Sequence, residues 1–166
     1  MGKHGTRSRP SFVPTRWYAG GNRREEWPNH YTNAIFSDDH GKTWQASEPF
    51  PEQGTGEACI VELSDGSLYY NSRVHWEKND RNTRRRSALS RDGGQTWPIK
   101  RLVYDGPSAY SSMQTGRHGT PSEGWIYLMF EGGGNGGAQV ARMNLAWVLE
   151  GVSTGDGELP AWIQSK

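Results

Sequence analysis

The stretch Ser37–Trp44 reads SDDHGKTW, and its pattern returns at Ser90–Trp97 as SRDGGQTW. Both copies share Ser-x-Asp-x-Gly-x-Thr-Trp, and each follows an apparent strand. In this pattern the aspartate can accept backbone N–H bonds, and the glycine can adopt a conformation that other residues rarely adopt. The tryptophan can pack onto a sheet. These three features are typical of a tight turn. The repeat therefore predicts two copies of one structural turn in a β protein.

Short apolar runs alternate with turn residues on both sides of these octapeptides. The 166 residues include 22 Gly, 9 Pro and 8 Trp, a composition typical of many short strands joined by tight turns. Aromatic residues make up 11% of the chain, which favours a packed core over disorder. We predict an antiparallel meander of ten strands: Ser11–Tyr18, Tyr31–Ser37, Thr43–Ala46, Glu57–Leu63, Leu68–Arg73, Arg84–Ser90, Arg101–Tyr104, Ala109–Gln114, Trp125–Glu131 and Gln139–Asn144.

One hairpin is well marked. The turn SDGS lies between Ala58–Leu63 and Leu68–Arg73, and its Asp-Gly pair supplies the positive φ that a tight β-turn needs. Glu57 and Arg73 are then expected at the same end of two antiparallel strands. For Leu145–Gly151 the sequence allows either a short helix or a further strand.

Charge and cysteine usage exclude several classes of function. The net charge is +1, with 19 basic and 18 acidic residues, so we predict neither a nucleic-acid nor a membrane partner. No run approaches the roughly 18 apolar residues of a membrane span, and the basic N-terminus has no apolar signal-peptide core. Cys59 is the sole cysteine and is expected to be buried. The histidines are scattered, so no metal site and no cofactor are predicted.

The octapeptide is the Asp-box, and the chain resembles the sialidase (neuraminidase) superfamily, whose six-bladed β-propellers carry Asp-boxes between the outer two strands of several blades. The segment Glu57–Arg73 ends in NSR and is similar to the sialidase segment that ends in Asn-x-Arg. Ser108–Ser111 reads SAYS and resembles the segment with the tyrosine nucleophile, and Tyr127–Gly132 resembles the following strand. The resemblance covers Tyr31–Gly151, with no indication of where the protein is located, although family members are often secreted or periplasmic.

The resemblance implies retaining cleavage of terminal sialic acid from glycoconjugates, with Tyr110 as nucleophile and Glu57 as its base. Sialic acid has a carboxylate on its anomeric carbon, which would repel a second carboxylate acting as nucleophile, and sialidases use tyrosine instead. A phenol with a pKa of about 10 is a poor nucleophile unless a base lies beside it.

The family also binds the substrate carboxylate with three arginines, whose planar guanidinium groups donate two hydrogen bonds at once. Arg73 matches the second of them, and Glu131 would orient the first. The family places a further blade with the third arginine before the tyrosine, whereas here one Asp-box separates Arg73 from Tyr110. We therefore predict that Arg81 or Arg84 replaces the third arginine.

Each assignment has a structural alternative. Tyr110 could be a half-buried strand tyrosine, and Glu57 and Arg73 could form a surface salt bridge. Glu131 could simply be exposed. Arg84–Arg86 could be a solvated strand face, on which alternation places the first and third arginines on the same side. At the level of function, the alternatives are a non-catalytic Asp-box protein that binds glycans or acts as a scaffold, and a hydrolase of another acidic sugar.

Chain length limits the architecture. A blade takes about 40–50 residues, so the chain accommodates about three of six blades. We predict an all-β fold, an incomplete six-bladed β-propeller at residues 11–151, between a flexible tail at 1–10 and a C-terminal tail at 152–166. The first arginine and the acid/base aspartate have no match upstream of Tyr31. We expect a sialylated glycan as ligand, and either the missing blades or self-association to cover the open sheet faces.

Overall fold

The computed structural model describes residues 10–18, 20–21, 23–75, 84–133 and 135–151. In these ranges the chain forms ten strands, a short 3₁₀ helix at Arg24–Asn29 and one α-helix. The elements are β1 (Ser11–Trp17), β2 (Tyr31–Ser37), β3 (Gln45–Ala46), β4 (Thr55–Glu62), β5 (Leu68–Val74), β6 (Arg84–Ser90), β7 (Ile99–Tyr104), β8 (Ser108–Thr115), β9 (Trp125–Gly132), β10 (Ala138–Asn144) and α1 (Leu145–Glu150).

The strands form three antiparallel sheets in which each strand pairs with its neighbour in sequence. The first sheet has the order β1-β2-β3, the second β4-β5-β6-β7 and the third β10-β9-β8. The leading strands β4 and β8 contact each other, and β1 also contacts β4. The sheets therefore stand side by side like successive blades, and the described residues do not close them into a ring.

The ten predicted strands are confirmed, with ends that differ by one or two residues in most cases. Leu145–Gly151 contains the helix α1, one of the two forms that the sequence allowed. Apart from Pro10, the predicted tails at 1–10 and 152–166 lie outside the described residues. None of the helices in the described ranges has the length and apolar character that a bilayer crossing requires.

The second sheet is packed on both faces. Tyr69 and Leu89 join Leu128 of the third sheet in one apolar cluster, whereas Tyr70 joins Trp97 in a second cluster that includes residues of the first sheet. Because successive side chains of a strand point to opposite faces, the adjacent residues Tyr69 and Tyr70 serve different clusters. The second sheet is thus the central blade, and each flanking sheet uses one face to pack against it.

The first Asp-box is held by its own side chains. The Gly41 N–H donates to Ser37 Oγ at 2.7 Å, the Thr43 N–H donates to Asp39 Oδ1 at 2.8 Å, and the Thr43 hydroxyl donates to Asp39 Oδ2 at 2.7 Å. These hydrogen bonds, above all the one from the Thr43 hydroxyl, lower the pKa of Asp39 to about 2.

The second Asp-box repeats this bonding. The Gly94 N–H donates to Ser90 Oγ at 2.9 Å, the Thr96 N–H donates to Asp92 Oδ1 at 2.9 Å, and the Thr96 hydroxyl donates to Asp92 Oδ2. Slight burial raises the pKa of Asp92, but the bonds from Thr96 outweigh it and bring the pKa to about 2. The predicted pair of structural turns is confirmed.

The two Asp-box tryptophans differ. Trp97 is 6% exposed and packs in the second apolar cluster, and its Nε1 donates to the Glu48 carbonyl at 3.2 Å. Trp44 is 44% exposed, and its Nε1 donates to the Gly41 carbonyl of its own loop at 3.1 Å. The expectation that the tryptophan packs onto a sheet is confirmed for the buried Trp97, whereas Trp44 is largely exposed beside its own loop.

Helix α1 closes the described part of the chain against the central blade. The Asn144 side chain accepts the Trp147 N–H at 2.9 Å at its start, and Gly151, with φ of 78°, ends it. Arg101 of β7 donates to the Trp147 carbonyl at 3.4 Å and to the Leu149 carbonyl. The guanidinium thus bonds the Leu149 carbonyl and adds a second donor to the Trp147 carbonyl, which already accepts the Gly151 N–H.

Candidate functional site

The predicted β4–β5 hairpin is present and sets the position of Glu57 and Arg73. At its turn, Gly66 has φ of 81° and Asp65 Oδ1 accepts the Ser67 N–H at 2.9 Å. The two strands then run antiparallel to the opposite end of the blade, where Glu57 and Arg73 meet.

A β-bulge brings these two residues face to face. Between Thr55 and Ala58 the register shifts by one, so that Gly56 and Glu57 together oppose Arg73. Arg73 Nη1 lies 3.3 Å from Glu57 Oε2, and the side chains are 21% and 29% exposed. The salt bridge of the structural alternative is therefore present, and it is partly withdrawn from solvent.

His75 is a third member of this group. Its Nε2 lies 2.9 Å from Glu57 Oε2, although out of line for a linear hydrogen bond. The imidazole is buried and packs over Gly56, where a Cβ would lie 1.8 Å from Nε2. Only glycine at position 56 leaves room for the ring, so Gly56 permits the approach of His75 to Glu57.

The surroundings keep the Glu57 carboxylate ionised. Its partial burial raises the pKa, but the His75 side chain and the Arg73 charge outweigh burial and lower the pKa to about 2. At neutral pH Glu57 is therefore a carboxylate that accepts hydrogen bonds and protons.

A second bulge carries Tyr110. The register of β8 against β9 shifts between Ser108 and Ser111, so that Ala109 and Tyr110 together oppose Glu131. The Tyr110 side chain is 65% exposed, so the half-buried strand tyrosine of the alternative is not what the structure contains. Glu131 is also exposed. A bulge at this point redirects a side chain away from the regular alternation of the strand.

The two bulges lie on adjacent strands. Cys59 Sγ on β4 lies 3.5 Å from Ser111 Oγ on β8. Cys59 is two residues after Glu57, and Ser111 is one residue after Tyr110, so this contact joins the two strands close to both bulges. Cys59 is partly buried, and its burial raises the pKa of the thiol. In the described ranges no hydrogen bond connects Glu57 to Tyr110.

An open cavity of about 590 Å³ lies beside these residues. Its lining includes the Arg73 and Glu131 side chains and the strand segment at Ser108 and Ala109, with glycines of the β9–β10 connection on the other side. The cavity thus borders both bulges through Arg73, Ala109 and Glu131, whereas Glu57 and Tyr110 are not among its lining residues. Among the residues described, no group of three or more His, Cys, Asp or Glu side chains is arranged to hold a metal ion.

The predicted substitutes for the third arginine are not part of this recess as described. Arg81 lies outside the described residues. Arg84 is absent from the cavity lining, and its Nε lies 2.6 Å from Asp105 Oδ1. Arg86, on the same side of β6, lies 3.4 Å from Glu52. The predicted alternation of the run is confirmed, since the intervening Arg85 is buried on the opposite side.

Residues 35–46 match the family model described as BNR/Asp-box repeat. Over 71 residues, 43% of this chain, the sequence is 38% identical to a sialidase of Paraclostridium sordellii. Over 64 residues, 39% of this chain, it is 42% identical to a sialidase of Micromonospora viridifaciens. A sialidase of Clostridium perfringens is 35% identical over 71 residues. These matches support a relationship to the sialidase superfamily.

These sialidases are much longer proteins, since the matched regions cover 16%, 9% and 17% of their lengths. Solved structures extend the likeness of fold over most of this chain. A protein of unknown function from Dyadobacter fermentans has a TM-score of 0.63 at 17% identity, over 91% of this chain and 37% of its own. Hadza microbial sialidase Hz136 has a TM-score of 0.53 at 20% identity, over 81% and 28%. The three sheets are an incomplete β-propeller.

Two residues, His75 and Arg85, contact the bulge residues Glu57 and Ala109 and are not predicted from the sequence. His75 was counted among scattered histidines, and its only local signal is the glycine next to Glu57. Arg85 lies within the arginine run Arg84–Arg86, in which the sequence analysis predicts only Arg84 as a ligand of the substrate carboxylate. The alternation of β6 separates Arg85 from those neighbours, but only the packing of the third blade shows which side of the strand is buried.

Proposed function

We propose that the chain carries the nucleophile side of a sialidase-type active site, which cleaves terminal sialic acid from glycoconjugates with retention. Tyr110 is the nucleophile, Glu57 its base and Arg73 a ligand of the substrate carboxylate. The observation that supports this proposal is the pairing of two bulges beside one recess, one with Glu57 opposite Arg73 and the other with Tyr110 opposite Glu131.

The chemistry fits these residues. A neutral phenol can approach an anomeric carbon that carries a carboxylate, whereas a carboxylate nucleophile would meet a like charge. Glu57 would accept the phenol proton as the Tyr110 oxygen bonds to the anomeric carbon and the glycosidic bond breaks, and an acid from a further blade would protonate the departing oxygen. Water would then hydrolyse the tyrosyl–sugar bond in a second step. The exposure of Tyr110 leaves the phenol accessible to a ligand.

Glu57 must become more basic when the substrate binds. A carboxylate with a pKa of about 2 is a weak proton acceptor, since general bases work best with a pKa near the operating pH. Arg73 is one cause of the low value, and a substrate carboxylate paired with Arg73 would offset its positive charge. We therefore expect the pKa of Glu57 to rise as the substrate binds.

The remaining parts of the site belong to other elements. Glu131 would orient an arginine from a further blade, and that region would also supply the leaving-group acid. Arg81 and Arg84 remain the candidates for a further carboxylate ligand, and Arg84 pairs with Asp105 in the absence of a substrate. Exposed apolar side chains on the outer sheets, among them Trp17 and Val140, favour a covering partner, either the other blades or a second copy.

A hydrolysis assay tests the proposal. A fluorogenic aryl sialoside is offered to the chain alone and to the chain joined to the N-terminal half of a conventional sialidase. We expect release by the joined form, a loss of at least about 10²-fold in Tyr110→Phe, and no change in Tyr18→Phe, whose ring is also exposed but lies on the first blade.

Other outcomes decide between the alternatives. No release by either form, or equal release by Tyr110→Phe and the parent, contradicts the enzymatic proposal. Binding of an unhydrolysed sialic-acid analogue without any turnover would instead favour a glycan-binding module. Release from an acidic sugar other than sialic acid, with sialosides left intact, would favour the related hydrolase.

A further inference from the structure

Arg85 is completely buried between the central blade and the third blade. Arginine is almost never fully buried unless its charge is compensated by partners. Burial lowers the pKa of Arg85 to about 10, so the side chain is still a cation at neutral pH. Within the described ranges no carboxylate lies at ion-pair distance from its guanidinium, and the neutral dipoles around it must compensate the charge.

The guanidinium donates to both neighbours of Tyr110. Nη1 donates to Ser111 Oγ at 2.8 Å and to Asn71 Oδ1 at 2.7 Å, and Nη2 donates to the Ala109 carbonyl. The guanidinium carbon lies 5.4 Å from the centre of the Phe130 ring, on the strand that pairs with β8. One side chain of β6 therefore connects β5, β8 and β9.

These contacts fall on the bulge itself. Ala109 and Tyr110 are the two residues that oppose Glu131, so the regular ladder between β8 and β9 is interrupted there. The Ala109 carbonyl has Arg85 as a donor at this irregular point. The direction in which Tyr110 projects depends on the local backbone, which this bond restrains.

We propose that Arg85 is a positioning residue for Tyr110: by binding the Ala109 carbonyl and the Ser111 hydroxyl, it holds the β8 bulge in the form that sets the direction of the exposed phenol. The catalytic meaning of this clamp rests on the proposed function of Tyr110, whereas the clamp itself does not. The rigid planar fork of arginine reaches three acceptors at once, and the single ammonium of lysine does not reproduce that geometry.

Amide hydrogen exchange tests the clamp without any substrate. The variant is Arg85→Lys, and the matched control is Arg101→Lys, because Arg101 also donates to backbone carbonyls but at the end of α1. We expect exchange at residues 109–111 to become at least about tenfold faster in Arg85→Lys, with β1 and β2 unchanged. In Arg101→Lys the increase should fall on α1.

Three results would overturn the proposal: unchanged exchange at 109–111 in Arg85→Lys, an equal increase throughout the first blade, or the same increase at 109–111 in Arg101→Lys. If Arg85→Lys does not fold, Ser111→Ala decides, because it removes one acceptor from the guanidinium. A faster exchange confined to 109–111 supports the clamp, and no change there contradicts it.

Turnover by the joined protein adds a kinetic readout. A positioning role predicts that Arg85→Lys lowers kcat by about 10²-fold with KM within about threefold, because the nucleophile is misplaced while carboxylate binding by Arg73 persists. A rise in KM at unchanged kcat contradicts positioning. The exchange measurement needs no sialoside, so the two proposals can fail separately. If Arg85→Lys speeds amide exchange at 109–111 but Tyr110→Phe is fully active, the clamp is retained and the tyrosine mechanism is rejected.

Discussion

Glu57 and Tyr110 occupy the same position in two successive blades. Each is the second residue of a bulge on the leading strand, after a small residue, Gly56 or Ala109, and each bulge sets two residues against one charged residue of the next strand. The repeated blade thus supplies two equivalent irregular points, which carry the proposed base Glu57 and the proposed nucleophile Tyr110.

The Gly56→Ala substitution is expected to separate His75 from Glu57. The new Cβ would lie 1.8 Å from His75 Nε2, so the imidazole must move, and we expect a loss of about 1–3 kcal/mol in the free energy of unfolding. Denaturant titration measures the loss. The double variant Gly56→Ala/His75→Ala should recover most of it, and additive losses would show that the overlap is not the cause.

Arg73→Leu is expected to raise the pKa of Glu57 above about 2. Burial already raises that pKa, and the variant removes one of the positive charges that oppose burial. The carboxyl chemical shift of Glu57, followed by NMR through an acid titration, reports the change. Arg84→Leu is the control, since that arginine pairs with Asp105. An unchanged pKa in Arg73→Leu would contradict the assigned electrostatics.

Asp92→Asn is expected to flatten the acid dependence of stability. The pKa of Asp92 in the folded state, about 2, lies below the unfolded value of about 3.9. Its contribution is therefore complete above pH of about 4 and is lost as the pH falls towards about 2. Asparagine does not titrate, so the variant should be less stable at neutral pH yet lose less on acidification. Parallel curves for the two proteins between pH 4 and pH 2 would reject this prediction.

The tryptophans of the two boxes should respond differently to truncation. Trp97→Ala removes a buried ring and its bond to the Glu48 carbonyl, and we expect it to cost about 3–5 kcal/mol. Trp44→Ala removes a ring that is 44% exposed and should cost about 1 kcal/mol or less. Equal shifts in thermal unfolding would show that exposure does not distinguish the two boxes.

Local sequence signals were sufficient for the strands and turns. The Asp-box turns and the β4–β5 hairpin depend on hydrogen bonds between residues close in sequence, so their patterns identify them directly. The opposition of Glu57 and Arg73 followed from the hairpin. The bulges did not follow, because a one-residue register shift leaves no composition signal when both neighbours suit a strand.

Contacts between blades could not be predicted in the same way. The roles of His75 and Arg85 depend on which side chains of other strands approach them, and alternation along one strand does not identify its neighbours. Trp44 illustrates the same limit, since its octapeptide matches that of Trp97 while its environment differs. Arg81, which falls outside the described residues, keeps its role as a prediction.

The hydrogen bonds from the glycine and threonine N–H groups of each Asp-box join residues four positions apart. A loop this short loses little entropy on closing, so both turns can form before the sheets pack against each other. Strands adjacent in sequence are also adjacent in each sheet, which keeps the chain between partners short. We therefore expect folding to proceed blade by blade, with each blade acting as a cooperative unit whose formation does not wait for a closed ring.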